Sequence, residues 1–466
     1  MKPFIGSWLC FFVAGNICFA NPIHDVSRLE TVEVNHIAHV KDVNDMKSFI
    51  KVAIKDNSKI SIAGARHSQG GHIYYPGGLV LDMTPFNRTL FFDRKKKILT
   101  IESGATWEYV QNYLNDFDLA VKVMQASNIF TVGGSLSVNA HGRDPHFGSV
   151  IDSVRGFRLL MADGSIKDVS RTNKNKELFD MAIGGFGLFG IILDVDLDVT
   201  TNDVYEKKTQ IIDWKEYPKY FKDNVQGNTE LGLHFAWPSV SPYSFMEEVL
   251  IADYKITEQR EEDTFDITEE SLIPFNRFFL WLSRVTSWGK GLRWFLQKHL
   301  IGYRGVISSR NNAMRPEVKF LDYSSTKDTD ILQEYFFPIE AYEEFISQLK
   351  AILVEEKVNV LSMTLRYVPK ATAPFLRYAA DTDAFSIVLY INQGLSAEEV
   401  AKAQFWTERI VDLALSVKGN YYLAYQRYPT KEQIRKAYPQ IDKFFAQKKR
   451  FDPNEIFYSK FYEHYK

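Results

Sequence analysis

The chain has 466 residues, 45% of them apolar and 24% charged, enough for two domains that each bury a core. A formal charge of −2 leaves no basic excess of the kind that nucleic-acid binding requires. Both cysteines, Cys10 and Cys18, fall among the first twenty residues. A chain cut behind them has no disulfide, no thiolate nucleophile and no cysteine-ligated metal, and no metal is expected.

Those first residues, 1–20, read as an export signal. Lys2 precedes an apolar run from Ile5 to Ala14, and Cys18 and Ala20 put small residues at −3 and −1 of a cleavage point before Asn21-Pro22. The expectation is a periplasmic or secreted protein. An uncleaved anchor is the alternative, disfavoured by a short apolar core broken at Gly15-Asn16.

From Asp42 to Ile54, Met46, Phe49, Ile50, Ala53 and Ile54 share one helical face, with Asp42 or Asn44 as the cap. Strands are expected at 59–62, 78–82 and 98–103, then a helix over 106–114 with Val110 and Leu114 inward. The first of these strands runs into Ser61-Ile-Ala-Gly-Ala-Arg-His-Ser-Gln-Gly-Gly71. Its small residues let backbone N–H groups approach a diphosphate, and His67 stands where it could reach a ring system bound there. Thr131-Val-Gly-Gly-Ser135 and Ala140-His-Gly142 continue the small-residue pattern.

A hairpin is expected from 156–162 and 165–169 around Asp163-Gly164, then a helix at 176–182 and a long strand at 191–199. Gly185-Phe-Gly187-Leu-Phe-Gly190 matches the dinucleotide pattern but leaves a helix and opens a strand, the reverse of the Rossmann order. Nicotinamide binding is therefore rejected. These glycines instead let backbone pass close to a cofactor that enters by another route.

Past residue 203 the texture changes. Long strands (231–237, 386–391) alternate with helices (339–355, 397–415), giving a second domain over 204–435. Within it, acidic residues from Glu258 to Asp263 precede 272–301, where Phe275, Phe278, Phe279, Trp281, Trp288, Trp294 and Phe295 interleave with Arg277, Arg284, Lys290, Arg293 and Lys298. That stretch is either a helix pair packed on the second domain or a peripheral membrane contact. Asp452-Pro-Asn-Glu-Ile-Phe457, in the terminal segment 436–466, reads as a cap returning to the first domain, 30–203.

Taken in order, the His67 loop, Leu79-Val-Leu-Asp-Met83, Ile101-Glu-Ser-Gly-Ala-Thr106, Thr131-Val-Gly-Gly134, Ala140-His-Gly142, Ala162-Asp-Gly164, Gly184–190 and Phe451–457 resemble the vanillyl-alcohol-oxidase (p-cresol methylhydroxylase, PCMH) type of FAD-binding domain. Thr84-Pro-Phe-Asn-Arg88, Ser137-Val-Asn-Ala-His-Gly142 and Tyr421-Tyr-Leu-Ala-Tyr425 carry a narrower likeness to the decaprenylphosphoryl-ribose oxidases and the alditol and aldonolactone oxidases. The resemblance implies an α+β fold: a PCMH-type FAD-binding domain of two subdomains, plus a substrate domain built on an antiparallel sheet with flanking helices.

It also implies where FAD would lie. Ala63, Gly64, Ala65, Arg66, His67, Ser68, Gln69 and Gly70 would wrap the diphosphate. Gln125, Ala126 and Ser127 with Thr131, Val132, Gly133, Gly134 and Ser135 would line the diphosphate and ribityl region. Val138 and His141 would stand near the isoalloxazine, Ile192 on the adenine side, and Tyr422 beside the ring. His67 stands where the alditol oxidases bond their flavin covalently, so FAD attached through His67 is expected. Tyr425 stands where the phosphosugar enzymes carry a catalytic lysine and Val388 where they carry a cysteine, which sets this chain apart from them.

The function so implied is FAD-dependent oxidation of a CH–OH group of a sugar, polyol or lactone-like substrate, with hydride transfer to flavin N5 and oxygen or a quinone-like compound as final acceptor. The catalytic candidates are His141, Tyr425, Glu334, Arg366 and Tyr390. Read from the residues alone, His141 could equally be a buried histidine bonded to backbone, and Glu334 and Arg366 could face solvent. A membrane-associated polyprenyl-phosphosugar oxidase, and a flavin- or sugar-binding protein without turnover, are the alternatives.

Overall fold

The computed structural model describes residues 21–301, 305–315 and 318–466; the expected export signal lies outside them. Asp42 caps the first helix, Val43–Lys55, its carboxylate accepting from the Asn44 and Asp45 N–H groups at 2.7 and 3.0 Å. That helix buries Met46, Ile50 and Ala53 against a three-stranded parallel sheet. Ile54, expected on the same face, is exposed, because the apolar arc spans only the residues that meet the sheet. The sheet has Leu79–Asp82 at its centre between His36–His39 and Ile60–Ala63.

The second subdomain is an antiparallel sheet ordered Ile166–Ser170, Val154–Leu160, Ile191–Thr201, Ile98–Glu102, Thr89–Asp93, with Leu119–Val121 on the far end of the long strand. The hairpin around Asp163-Gly164 forms as the alternation implies, Gly164 taking φ +80° at its turn. Ile60 pairs in parallel with Phe457, and its N–H donates to the Ile456 carbonyl at 2.7 Å, so the end of the chain extends the first sheet. A buried Lys448–Asp452 ion pair at 2.6 Å holds the approach to that strand.

Beyond residue 203, eight antiparallel strands form one sheet. Asp328–Pro338, Ala384–Gly394 and Asn359–Val368 lie side by side in its middle. Helices Tyr217–Asn224, Tyr342–Glu355 and Ala397–Ser416 cover one face, with Phe345 on Phe337 at 4.1 Å and Phe221 on Phe385 at 4.9 Å. Strand side chains alternate between faces, so Leu332, Glu334 and Phe336 turn to the opposite face, toward the first domain. Residues 273–296 form two helices, Ile273–Val285 and Ser287–Leu296, that close over one end of that second face. No helix among the described residues is long and apolar enough to cross a membrane.

Candidate cofactor and active site

A cleft with about 1270 Å³ of unfilled space runs between the two subdomains and under the second domain's sheet. Its floor begins at the loop after Ile60–Ala63. Gly64, Ala65, Arg66, His67 and Ser68 line it, and Arg66, at φ +60°, is anchored by donating to Asp82 at 2.8 Å. Only glycine fits at position 64, since a Cβ there would lie 2.1 Å from Thr131 Oγ1. Thr131 Oγ1 in turn caps the short helix Val132–Ser137 by accepting from the Gly134 N–H at 3.2 Å. Gly133, Gly134 and Ser135 of that helix also line the cleft.

The cradle is shorter than the sequence pattern implies. The Gly70 and Gly71 N–H groups are already taken, donating to Ser27 Oγ at 3.0 Å and Asp25 Oδ2 at 2.7 Å, so Gly70 lies off the cleft. Gln69 reaches the other domain, where its Oε1 accepts from the Leu332 N–H at 2.5 Å. Ala63 and Val132 point into the cores beneath, and Ala126 and Ser127 also stand off the lining, leaving Gln125 from that run. Val138, Ile192 and Tyr422 line the cleft as expected. Phe186, Gly187 and Gly190 of the rejected dinucleotide motif complete one wall, the close backbone passage anticipated for those glycines.

These residues fit FAD. Buried Ser68 Oγ and Gln125 Oε1 line the cleft with no hydrogen-bond partner among the described residues, which leaves them free to pair with a bound ligand. His67 packs its ring 5.1 Å from Phe130, and burial lowers its imidazole below the ordinary value, leaving the neutral, nucleophilic form.

Over the opposite end sits a polar pair. His141 Nε2 and Glu334 Oε1 are 2.7 Å apart, each side chain 2% exposed, with the imidazole enclosed by Phe336, Tyr378 and Tyr422. His141 Nδ1 has no partner. Burial pushes the Glu334 carboxyl up, but His141 and then Arg366 outweigh it and hold the group below its ordinary value. Arg366 and Tyr425 line the same region. Burial and the neighbouring Glu334 drive the Tyr425 phenol far up, and Tyr422 and Tyr378 likewise, so all three remain protonated donors. The Tyr422 hydroxyl is committed to the Val138 carbonyl at 2.8 Å, joining the domains.

Tyr390 does not belong to this site. On the neighbouring strand, opposite Leu332, its hydroxyl donates to Asp330 at 2.6 Å beneath the helix Ile273–Val285. The inserted helices have claimed that part of the sheet. Met83, Ser103 and Ala424, inside motifs that carry the resemblance but not expected as site residues, also line the cleft, and Phe130 and Leu332 reach it by tertiary approach without a local signal. Behind Arg366, off the cleft lining, the Arg143 guanidinium lies 4.1 Å over the Phe235 ring. Burial, with Arg366 nearby, lowers Arg143 to about 10, and the Nε atoms of both arginines have no partner.

A small-residue cradle for a dinucleotide, roofed by a sheet that presents a buried His–Glu pair, defines a two-domain FAD-dependent oxidoreductase of the kind acting on CH–OH donors. Residues 34–170 match the FAD binding domain family. With residues 205–465 matching D-arabinono-1,4-lactone oxidase, the chain belongs to that family. It is 23% identical over 444 residues to decaprenylphosphoryl-beta-D-ribose oxidase of Mycolicibacterium smegmatis, covering 91% of this chain and 93% of the relative. It is also 23% identical over 437 residues to L-gulonolactone oxidase of Bos taurus, covering 90% and 92%.

Proposed function

We propose that the protein oxidises a CH–OH carbon of a sugar, polyol or lactone-like substrate. Bound FAD supplies the hydride acceptor, at N5, and the proton chemistry falls to the chain. The observation that carries this reading is the buried His141–Glu334 pair. An alcohol carbon releases hydride only as its O–H proton leaves, so a base must stand at the cleft. An ionised Glu334 only accepts hydrogen bonds, so His141 Nε2 carries the hydrogen and the unpartnered Nδ1 is the basic nitrogen. Once His141 takes the proton, Glu334 stabilises the imidazolium. Tyr425 serves as a donor to a substrate hydroxyl, not as the base, and Arg366 holds a second oxygen.

Anaerobic addition of a panel of aldonolactones and alditols to the holoprotein tests this. At least one member should bleach the yellow flavin band; a holoprotein that no CH–OH compound bleaches overturns the reading. Peroxide formed with oxygen as sole acceptor identifies an oxidase, and reduction of a quinone-like dye alone identifies a dehydrogenase.

His67 bonds the flavin in this proposal. Its place on the cleft wall and its neutral imidazole support that, and export supplies a reason. Outside the cell free FAD is scarce, and a covalent bond removes the dependence on free ligand. N-terminal sequencing of the exported protein should begin at Asn21. Acid precipitation should leave the colour in the pellet, and colour in the supernatant excludes the bond.

A second reading, oxidation of a polyprenyl-phosphosugar, is favoured by Arg366, which lines the cleft with an unpartnered Nε and has the buried Arg143 near it. Two neighbouring guanidinium groups suit an anionic substrate group. Under that reading Arg366→Gln raises KM for a phosphorylated substrate more than it raises KM for a neutral lactone.

A further inference from the structure

The helices Ile273–Val285 and Ser287–Leu296 are firmly seated from beneath. Leu280, Leu282 and Trp294 are buried, Arg284 pairs with Asp330, and the Trp294 indole donates to Glu248 at 2.7 Å. Their outer faces are nonetheless apolar. Phe275, Phe278, Trp281 and Val285 run along the first helix, and Trp288, Leu292 and Phe295 along the second. Phe278 is 52% exposed, Trp281 48%, Trp288 56% and Phe295 55%. The spacing of three and four puts each set in one stripe. A patch of this size is seldom left in water unless something covers it.

Charge says what covers it. From Ser271 to Arg315 the sequence has eight lysines and arginines and no aspartate or glutamate. Lys290 makes no hydrogen bond or ion pair with any described residue. Glu248, Glu269 and Asp322, all outside the two helices, face Lys298, Lys319 and Arg277 at 2.9, 3.4 and 3.6 Å. Helices of 13 and 10 residues are too short to span a bilayer and long enough to lie along one. Indoles and phenyl rings beside an unpaired lysine, on helices that carry no carboxylate, are the chemistry of an anionic lipid interface.

We infer that this helical hairpin seats the protein on the surface of an anionic lipid bilayer. Its aromatic stripe enters the headgroup–acyl boundary, and Lys290 and Arg277 meet the phosphates. On the inner side, Leu280 packs with Leu361, Tyr390 and Leu332, and Leu332 lines the cleft. The membrane surface thus lies close to the wall of the active site, placing a lipid-borne substrate or acceptor within reach of it.

Sedimentation of the holoprotein with phosphatidylcholine vesicles, with and without phosphatidylglycerol, tests the inference independently of catalysis. The protein should pellet with the anionic vesicles, and less so as salt is raised. The pair Trp281→Glu and Trp288→Glu should weaken binding at least about tenfold while flavin content is retained. Phe405→Glu, at an exposed aromatic elsewhere, should bind as the unaltered protein does. Absence of binding to anionic vesicles, or binding unchanged by the paired substitution, overturns the inference. A dimer in solution that the paired substitution dissolves also overturns it, and assigns the face to a second copy. An inactive protein that still pellets with vesicles sinks the catalytic reading and leaves this one standing.

Discussion

Glu334 has to remain charged where charge is costly, and its neighbours explain how it does. Burial alone would protonate it, yet His141 at 2.7 Å and Arg366 hold it ionised. Replacing it by glutamine keeps the shape and removes the charge that orients and stabilises the imidazole. Glu334→Gln should lower kcat by about 10²–10⁴-fold with flavin content unchanged, read by stopped-flow bleaching. The same carboxylate affects stability. Its native value is depressed, so its contribution is present above the ordinary carboxyl range, about 4.3, and is lost as pH falls through the lower native value. Urea midpoints from pH 7 to pH 3 should therefore fall less steeply for the glutamine variant. At the floor of the cleft, Gly64→Ala forces a methyl group onto Thr131 Oγ1, and the variant should purify with little flavin, measured as the ratio of visible to protein absorbance.

At the scale of elements, the Asp452 turn carries more than its sequence pattern discloses. Asp452 pairs with Lys448 in the interior and also accepts from the Ile456 and Phe457 N–H groups at 3.0 and 2.9 Å. Asp452→Ala strands a buried ammonium and should destabilise the fold by about 3–5 kcal/mol, measured by denaturant titration. Strong local signals were legible. The capped helix Val43–Lys55, the hairpin at Asp163-Gly164 and the helix Lys176–Ala182 each rest on contacts within a few residues. The strand Ala384–Gly394 is buried on both faces over most of its length, so alternation cannot tell which side chains meet the cleft. That is why Tyr390 falls among the sequence-based site candidates although it lies outside the cleft. The seizure of the Gly70 and Gly71 N–H groups by Asp25 and Ser27 is a long-range contact with no local trace.

For the whole molecule, the cofactor cleft exists only where the two domains meet. The motifs around His67, Thr131 and His141 disclosed the cradle, since residues of each line the cleft. The roof was legible only in part: Glu334 and Arg366 were found by residue type, and their pairing with His141 came from the packing of the domains. The proposed covalent flavin would also give the whole fold a distinctive response to ligand. Added FAD should leave the melting temperature of the unaltered protein unchanged. In His67→Ala, free FAD at a hundred times its Kd should restore about 2.7 kcal/mol, seen as a concentration-dependent rise in Tm.

The parallel pairing of Ile60 with Phe457 joins two stretches far apart in the sequence. A nascent chain on the ribosome therefore lacks an edge of its nucleotide-holding lobe until Phe457 has emerged. Cofactor loading is expected to wait for that strand, and a polypeptide truncated before Phe457 should purify without colour.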